Sequence, residues 1–156
     1  TEEKRPLGTA GGLKILYKKL TNSFFVINCD VLIKSDYKEI YDFHKNNKND
    51  ITIVVSAKEF KIPYGICRIN KKGLLSNINE KPVYNFLVNT GLYLINKKVL
   101  KLIPPNKNYN MNDLITAVKK KGWRIGVFPV DEESWLDVGQ WEEYQKTLKK
   151  INLGNV

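Results

Sequence analysis

Short apolar runs alternate with helically spaced ones along this chain. Residues 23–29 (SFFVINC) form an apolar run that suits a buried strand. Residues 36–45 repeat at helical spacing through Ile40, Phe43 and His44, with Asp36 placed to cap the helix start. Residues 51–57 (ITIVVSA) are β-branched and read as a second buried strand. Residues 64–70 and 74–80 flank Lys71-Lys72-Gly73, a hairpin signal. Residues 87–95 read as another strand, and 97–103 as a short helix stopped by Pro104-Pro105. An amphipathic helix over 111–121 ends at Gly122, a strand follows over 123–130, and a closing helix is expected over 140–151. Alternation of this kind predicts an α/β layered domain with a largely parallel sheet, the hairpin adding a local antiparallel element.

The start departs from the pattern. A phosphate-loop-like segment, Pro6-Leu7-Gly8-Thr9-Ala10-Gly11-Gly12, comes almost at residue 1, with no strand and no Met before it. An α/β domain usually opens with a strand that enters the middle of the sheet. The expectation is therefore one domain, 1–156, that lacks an upstream segment.

Composition narrows the classes. A chain of 156 residues fits a single domain and can bury a core without disulfides or metals. With 42% hydrophobic and 27% charged residues it is not a disordered chain. No apolar run approaches the ~20 residues that span a bilayer, and no signal-peptide pattern opens the chain. A cytoplasmic protein without a membrane partner is expected. The net charge of +10 is compatible with a polyanionic partner. The cations, however, are 23 Lys and 3 Arg, scattered among 17 Asn, whereas readers of nucleic acid bases lean on Arg. The charge therefore reads as solvated faces. No nucleic acid partner is expected, and a phosphate-rich small substrate remains compatible. Cys29 and Cys67 sit in hydrophobic runs without zinc or CxxC spacing, so two buried, reduced thiols are expected. The single histidine, His44, cannot form a histidine metal cage and reads as a surface residue.

Five segments could carry chemistry. In Leu7–Gly12 three glycines precede helical spacing at Leu13, Leu16, Tyr17 and Leu20, so backbone N–H groups are expected to stand free for an anion or a base edge. It is not a Walker loop. Asn28-Cys29-Asp30 ends a strand, where open α/β sheets bind ligands, and an Asp there can hold Mg²⁺. In Glu80-Lys81-Pro82 the proline biases Lys81 towards extended backbone. Asn89-Thr90-Gly91 interrupts an apolar strand, and glycine there often marks a close ligand approach. Asp137, in Trp135-Leu136-Asp137-Val138-Gly139, is flanked by apolar residues and lies 107 positions after Asp30. Two distant carboxylates that converge could share one hard cation.

In this order, Leu7-Gly8-Thr9-Ala10-Gly11, Asn28-Cys29-Asp30, Tyr64-Gly65, Glu80-Lys81-Pro82, Asn89-Thr90-Gly91-Leu92-Tyr93 and Trp135-Leu136-Asp137-Val138-Gly139 resemble the sugar-phosphate nucleotidyltransferases. The similarity is greatest to the mannose-1-phosphate guanylyltransferase-like branch and runs from Pro6 to Ile151. The resemblance implies a three-layer α/β/α sandwich with a mixed, mostly parallel sheet. It implies an enzyme that joins a sugar 1-phosphate to an NTP, with GTP preferred, releasing pyrophosphate. Asp30 and Asp137 would hold Mg²⁺ as cofactor. Leu7, Gly8, Thr9 and Gly11 would contact the nucleotide. Lys81 would meet the sugar phosphate, while Glu80, Gly65, Asn89 and Thr90 would contact the sugar. Homo-oligomers are common in the family. The chain departs from the family in two places. Cys29 stands where Gly is more usual. The family's opening signature, a glycine-rich loop with an Arg and then Pro-Lys, is absent, so these residues alone are expected to be inactive. Loss of a central first strand would leave two unpaired edges, which favour intermolecular pairing. The alternative is a non-catalytic relative that binds a sugar nucleotide or regulates a partner.

Overall fold

The computed structural model describes residue 3 and residues 5–139. The expected closing helix lies outside the described residues. Gly8–Gly11 forms a single helical turn (α1), continued by a 3₁₀ turn over Gly12–Lys14. There follow β1 (Ser23–Ile27), β2 (Val31–Ile33), α2 (Tyr37–Asn46), β3 (Ile51–Lys61), β4 (Ile66–Ile69), β5 (Leu75–Asn79) and β6 (Val83–Asn96). A 3₁₀ helix over Lys97–Leu102 leads to α3 (Met111–Lys120), β7 (Ile125–Val130) and β8 (Trp135–Asp137). Asp36 caps α2 as expected, its Oδ1 accepting from the Lys38 N–H at 2.7 Å.

The main sheet has the order β1-β6-β3-β7. It is mixed, as expected, but its described strands are not mostly parallel. β6 pairs antiparallel with both β1 and β3, and only β3–β7 is parallel. The reason lies in β6, which runs back along β3 from the β4–β5 hairpin and so stands reversed between its neighbours. Side chains alternate across this sheet and feed two cores. Phe24, Ile51, Tyr93 and Ile95 face a layer built from Ala10, Val99, Leu100, Met111, Leu114 and Val118. Phe25, Val54, Leu92, Leu94 and Phe128 face the other way, onto Ile40 of α2 and onto Val31 and Ile33. Helical layers on both faces make the three-layer α/β/α sandwich.

Three interior expectations change. His44 is 2% exposed, not a surface residue. It lies one turn after Ile40 on the inward face of α2, and its Nδ1 shares a 2.9 Å hydrogen bond with the Thr52 hydroxyl. Asn49 Nδ2 donates to the same hydroxyl oxygen at 3.2 Å, so this buried polar group is satisfied. Both cysteines are exposed rather than buried. β1 stops at Ile27, before Cys29, and Cys67 lies on β4, whose hairpin with β5 forms a sheet of its own.

One irregularity positions the site. Ile53 pairs with Tyr93, but Val55 pairs with Asn89. β6 thus spends Thr90, Gly91 and Leu92 where β3 spends only Val54. The bulge is locked from inside, because the Thr90 hydroxyl donates to the Val54 carbonyl at 2.9 Å. Gly91 turns there with φ +84°, and a Cβ at that position would fall 2.7 Å from Asn28 Nδ2. Such bulges re-aim side chains beside functional sites.

Candidate functional site

A cleft of about 170 Å³ opens where β1, the β6 bulge and β8 meet, lined by Asn28, Asp30, Asn89, Gly91, Trp135 and Asp137, among others. β2 and β8 pair antiparallel with Val31 opposite Asp137, which carries Asp137 across 107 positions to the end of β1. The Val138 N–H donates to the Asp30 carbonyl at 2.9 Å and fixes this approach. The two carboxylates close on one point. A Cβ at Gly139 would lie 2.6 Å from Asp30 Oδ2 and 3.2 Å from Asp137 Oδ1. Among the described residues the ion pairs are Lys38–Asp42 and Lys98–Asp50, so neither cleft carboxylate has a cationic side chain as partner there.

The donor set can be tested against a metal. Among the described residues no cluster of three or more His, Cys, Asp or Glu exists. Two carboxylates fit Mg²⁺, which keeps several waters and takes one or two carboxylates together with substrate phosphates.

The bulge supplies the polar wall of the cleft. Asn89 Oδ1 accepts from the Gly91 N–H at 3.0 Å, and its Nδ2 donates to the Tyr93 hydroxyl at 2.6 Å. Burial pushes the Tyr93 phenol above its ordinary 10.0, with the Asn89 hydrogen bond opposing, so the phenol stays protonated at neutral pH. Thr90 is 2% exposed, and its hydroxyl is spent on Val54 and on the Leu92 N–H. Its part here is to hold the bulge.

The remaining predicted residues fall into two other groups. Gly65 and Glu80 adjoin, since a Cβ at Gly65 would lie 2.7 Å from Glu80 Oε2. Lys81 follows in the turn into β6 with φ +43°. The extended backbone expected before Pro82 is not adopted there. The Ile62 N–H donates to the Pro82 carbonyl, tying the turn back to the end of β3, and the chain accommodates this by a left-handed residue at 81.

Leu7, Gly8, Thr9 and Gly11 form the third group. Gly8, Thr9, Gly12, Leu13 and Leu16 line a second pocket, of about 340 Å³. Gly8 has φ +77°, and a Cβ there would meet the Tyr109 carbonyl at 2.8 Å. The N–H groups expected to stand free are partly used. Ala10 and Gly11 both donate to the Tyr109 carbonyl at 2.9 Å, and Thr9 donates to Asn110 Oδ1 at 3.3 Å. The Thr9 hydroxyl accepts from the Met111 N–H at 2.8 Å, satisfying a first-turn donor of α3, whose own N-cap is Asn110. Sequence reasoning gave no role to Asn28, Tyr93 or Trp135, which also line the cleft. A tyrosine in the apolar run 87–95 was a usable signal.

Comparison with known proteins settles the class. The family model described as nucleotidyl transferase matches residues 1–153. This chain is a member of the nucleotidyl transferase family. Among curated relatives in that family, "Mannose-1-phosphate guanyltransferase" from Aspergillus oryzae is 34% identical over 150 residues, covering 91% of this chain. The protein of the same name from Saccharomyces cerevisiae is 34% identical over 155 residues. The chain spans 40% and 41% of these two relatives. Among solved structures, HddC from Yersinia pseudotuberculosis superposes with a TM-score of 0.69 at 26% identity, covering 96% of this chain and 64% of that one. A second HddC structure, complexed with GMP-PN, has a TM-score of 0.68 at 24% identity and shows the same fold.

Proposed function

We propose that this chain belongs to a sugar-1-phosphate nucleotidyltransferase that joins a sugar 1-phosphate to an NTP, with GTP as the preferred nucleotide. The convergence of Asp30 and Asp137 on Gly139 carries the reading. It sits at the carboxyl end of a strand, where α/β sheets place ligands. The relatives named for guanyl transfer to mannose 1-phosphate support GTP and mannose 1-phosphate as the pair to test.

In this reaction an oxygen of the sugar 1-phosphate attacks the α-phosphorus of the NTP. A new P–O bond forms, the bond to the β-phosphate breaks, and pyrophosphate leaves. Mg²⁺, when bound, would neutralise the approaching anions and polarise the α-phosphoryl group. Asp30 and Asp137 are the residues that would hold it. The Lys81 ammonium would take the sugar phosphate, and Glu80, whose carboxylate lies against Gly65, would accept from sugar hydroxyls. Asn89 keeps one amide proton for a sugar oxygen, since its Oδ1 and one N–H are already used. Leu7, Gly8, Thr9 and Gly11 would form the nucleotide side through backbone and shape, the Thr9 hydroxyl being committed to α3. Positioning and charge neutralisation supply the catalysis.

Pyrophosphate release with Mg²⁺, each NTP and a panel of sugar 1-phosphates tests this reading. The chain should be assayed beside a form extended at its N-terminus by the corresponding segment of a relative. Release is expected with GTP from the extended form, and Asp30→Asn or Asp137→Asn should lower it on the order of 10²–10³-fold. No release from either form with any pair would overturn the reading.

A further inference from the structure

The β4–β5 hairpin stands as a two-stranded sheet of its own, and every residue from Cys67 to Lys81 is exposed. Cys67 pairs with Ile78 and Ile69 with Leu75. Cross-strand partners share a face, as do residues two apart along a strand. Cys67, Ile69, Leu75 and Ile78 therefore make one apolar face, with Leu74 beside it at the turn. Ile69, Leu74, Leu75 and Ile78 are each between 57% and 68% exposed, so nothing among the described residues covers them. A two-stranded hairpin is marginal in water without something packed on its apolar face. Contiguous apolar surface of this kind marks an interaction site.

Charge selects the occupant. Between Tyr64 and Asn79 the chain carries Arg68, Lys71 and Lys72 and no Asp or Glu. The turn holds its shape before any partner arrives: Asn70 Oδ1 accepts from the Lys72 N–H at 2.9 Å and from the Leu74 N–H at 3.1 Å, and Gly73 takes φ +77°. Two lysines are thus presented directly before Leu74 and Leu75. A second copy would set these three cations against the same three, in a chain of net charge +10, and like charges across an interface oppose docking. A surface that is anionic outside and apolar beneath meets both halves of the hairpin. We propose that the β4–β5 hairpin docks this protein on an anionic lipid surface, Lys71, Lys72 and Arg68 meeting the headgroups while Leu74, Leu75 and Ile69 enter the acyl boundary. No described helix is long and apolar enough to cross a membrane, and attachment of this kind needs none. The proposal is independent of the reaction proposed above.

Flotation of the chain with vesicles tests it, using pure phosphatidylcholine beside phosphatidylcholine mixed with phosphatidylserine. The wild type should float with the mixed vesicles, less so as salt rises, and not with the neutral ones. Lys71→Gln/Lys72→Gln should lower partitioning roughly 10- to 30-fold. Leu74→Ser/Leu75→Ser keeps every charge and should lower it about tenfold. Lys18→Gln/Lys19→Gln removes the same charge from exposed positions outside the hairpin and should behave as the wild type. The two hairpin variants change different residues, so either one decides if the other fails to fold. No flotation with the mixed vesicles overturns the proposal. Equal loss in the Lys18/Lys19 variant overturns it in favour of overall charge, and full binding by the leucine variant removes the apolar contact. Binding to soluble polyglutamate without binding to vesicles would overturn it in favour of an acidic protein. Concentration-dependent sedimentation that the leucine variant abolishes, with no vesicle binding, would assign the face to a second copy.

Discussion

His44 shows how one side chain sets a pH dependence. Burial, with Lys45 adding to it, lowers its pKa from the usual 6.5, so it stays neutral in the folded chain. The unfolded chain takes up a proton near 6.5 that the native chain refuses. Stability is therefore fully present above that value and falls as the pH drops through it towards the folded value. Melting temperature should decline between roughly pH 7.5 and 5.5, and His44→Gln should flatten that slope at some cost in stability at neutral pH. An unchanged slope in the variant would contradict the assignment. Lys81 makes a second residue-scale case. A left-handed backbone at a non-glycine residue costs about 1–2 kcal/mol, and here it holds the side chain proposed to meet the sugar phosphate. Lys81→Gly should raise the midpoint of chemical denaturation while lowering sugar-phosphate affinity. Loss of both would mean that the turn itself needs the lysine. Asp30 and Asp137 were legible as separate carboxylates, each marked by its neighbours. Their convergence was not, because it depends on the three-residue β2–β8 ladder, which no periodicity announces.

At the scale of elements, the strands over 23–29 and 51–57 and the helices at 36–45 and 111–121 were readable because each shows one period clearly. The direction of β6 was not, since apolar content says nothing of which way a strand runs. The burial of His44 was present in its spacing and hidden by its polarity. The Thr9 bond to α3 could not be read from sequence either, because it joins residues 102 positions apart. It makes a direct prediction. Thr9→Val should lower stability by about 1 kcal/mol through loss of its hydrogen bond to the first N–H of α3, with a matching loss of protection in amide exchange at Met111. Thr9→Ser should retain most of it. An equal loss in the serine variant would mean that the methyl group, not the hydroxyl, carries the effect.

Among the described residues, the four-stranded sheet lies between two apolar layers that both draw on its strands. Ile40 and Leu114 are both fully buried, in opposite layers. Ile40→Ala and Leu114→Ala should each cost about 2–5 kcal/mol, add within about 0.5 kcal/mol in the double variant, and leave a single unfolding transition. Two separate transitions would show that the layers melt independently. Among the described residues the sheet ends in two unlike edges, β1 and β7. β7 carries Gly126 and Pro129, and proline offers no N–H to a new strand, whereas β1 (SFFVI) has neither charge nor proline. Self-association through β1 should therefore respond to Ile27→Lys, at an exposed position of that strand, more than to a change on β7, as read by concentration-dependent sedimentation.

The bulge in β6 has an arithmetic consequence. Between the Ile53–Tyr93 and Val55–Asn89 pairs, β3 advances two residues and β6 advances four. Both numbers are even, so the strand leaves the bulge with its faces as they entered. An insertion or deletion of one residue at Asn89–Gly91 would reverse the parity. Leu92 and Leu94 would then exchange cores with Tyr93 and Ile95, or Asn89 would turn away from the cleft. This stretch can thus drift by substitution, or change length in steps of two, but a single lost codon triplet would exchange the inside of one layer for the inside of the other.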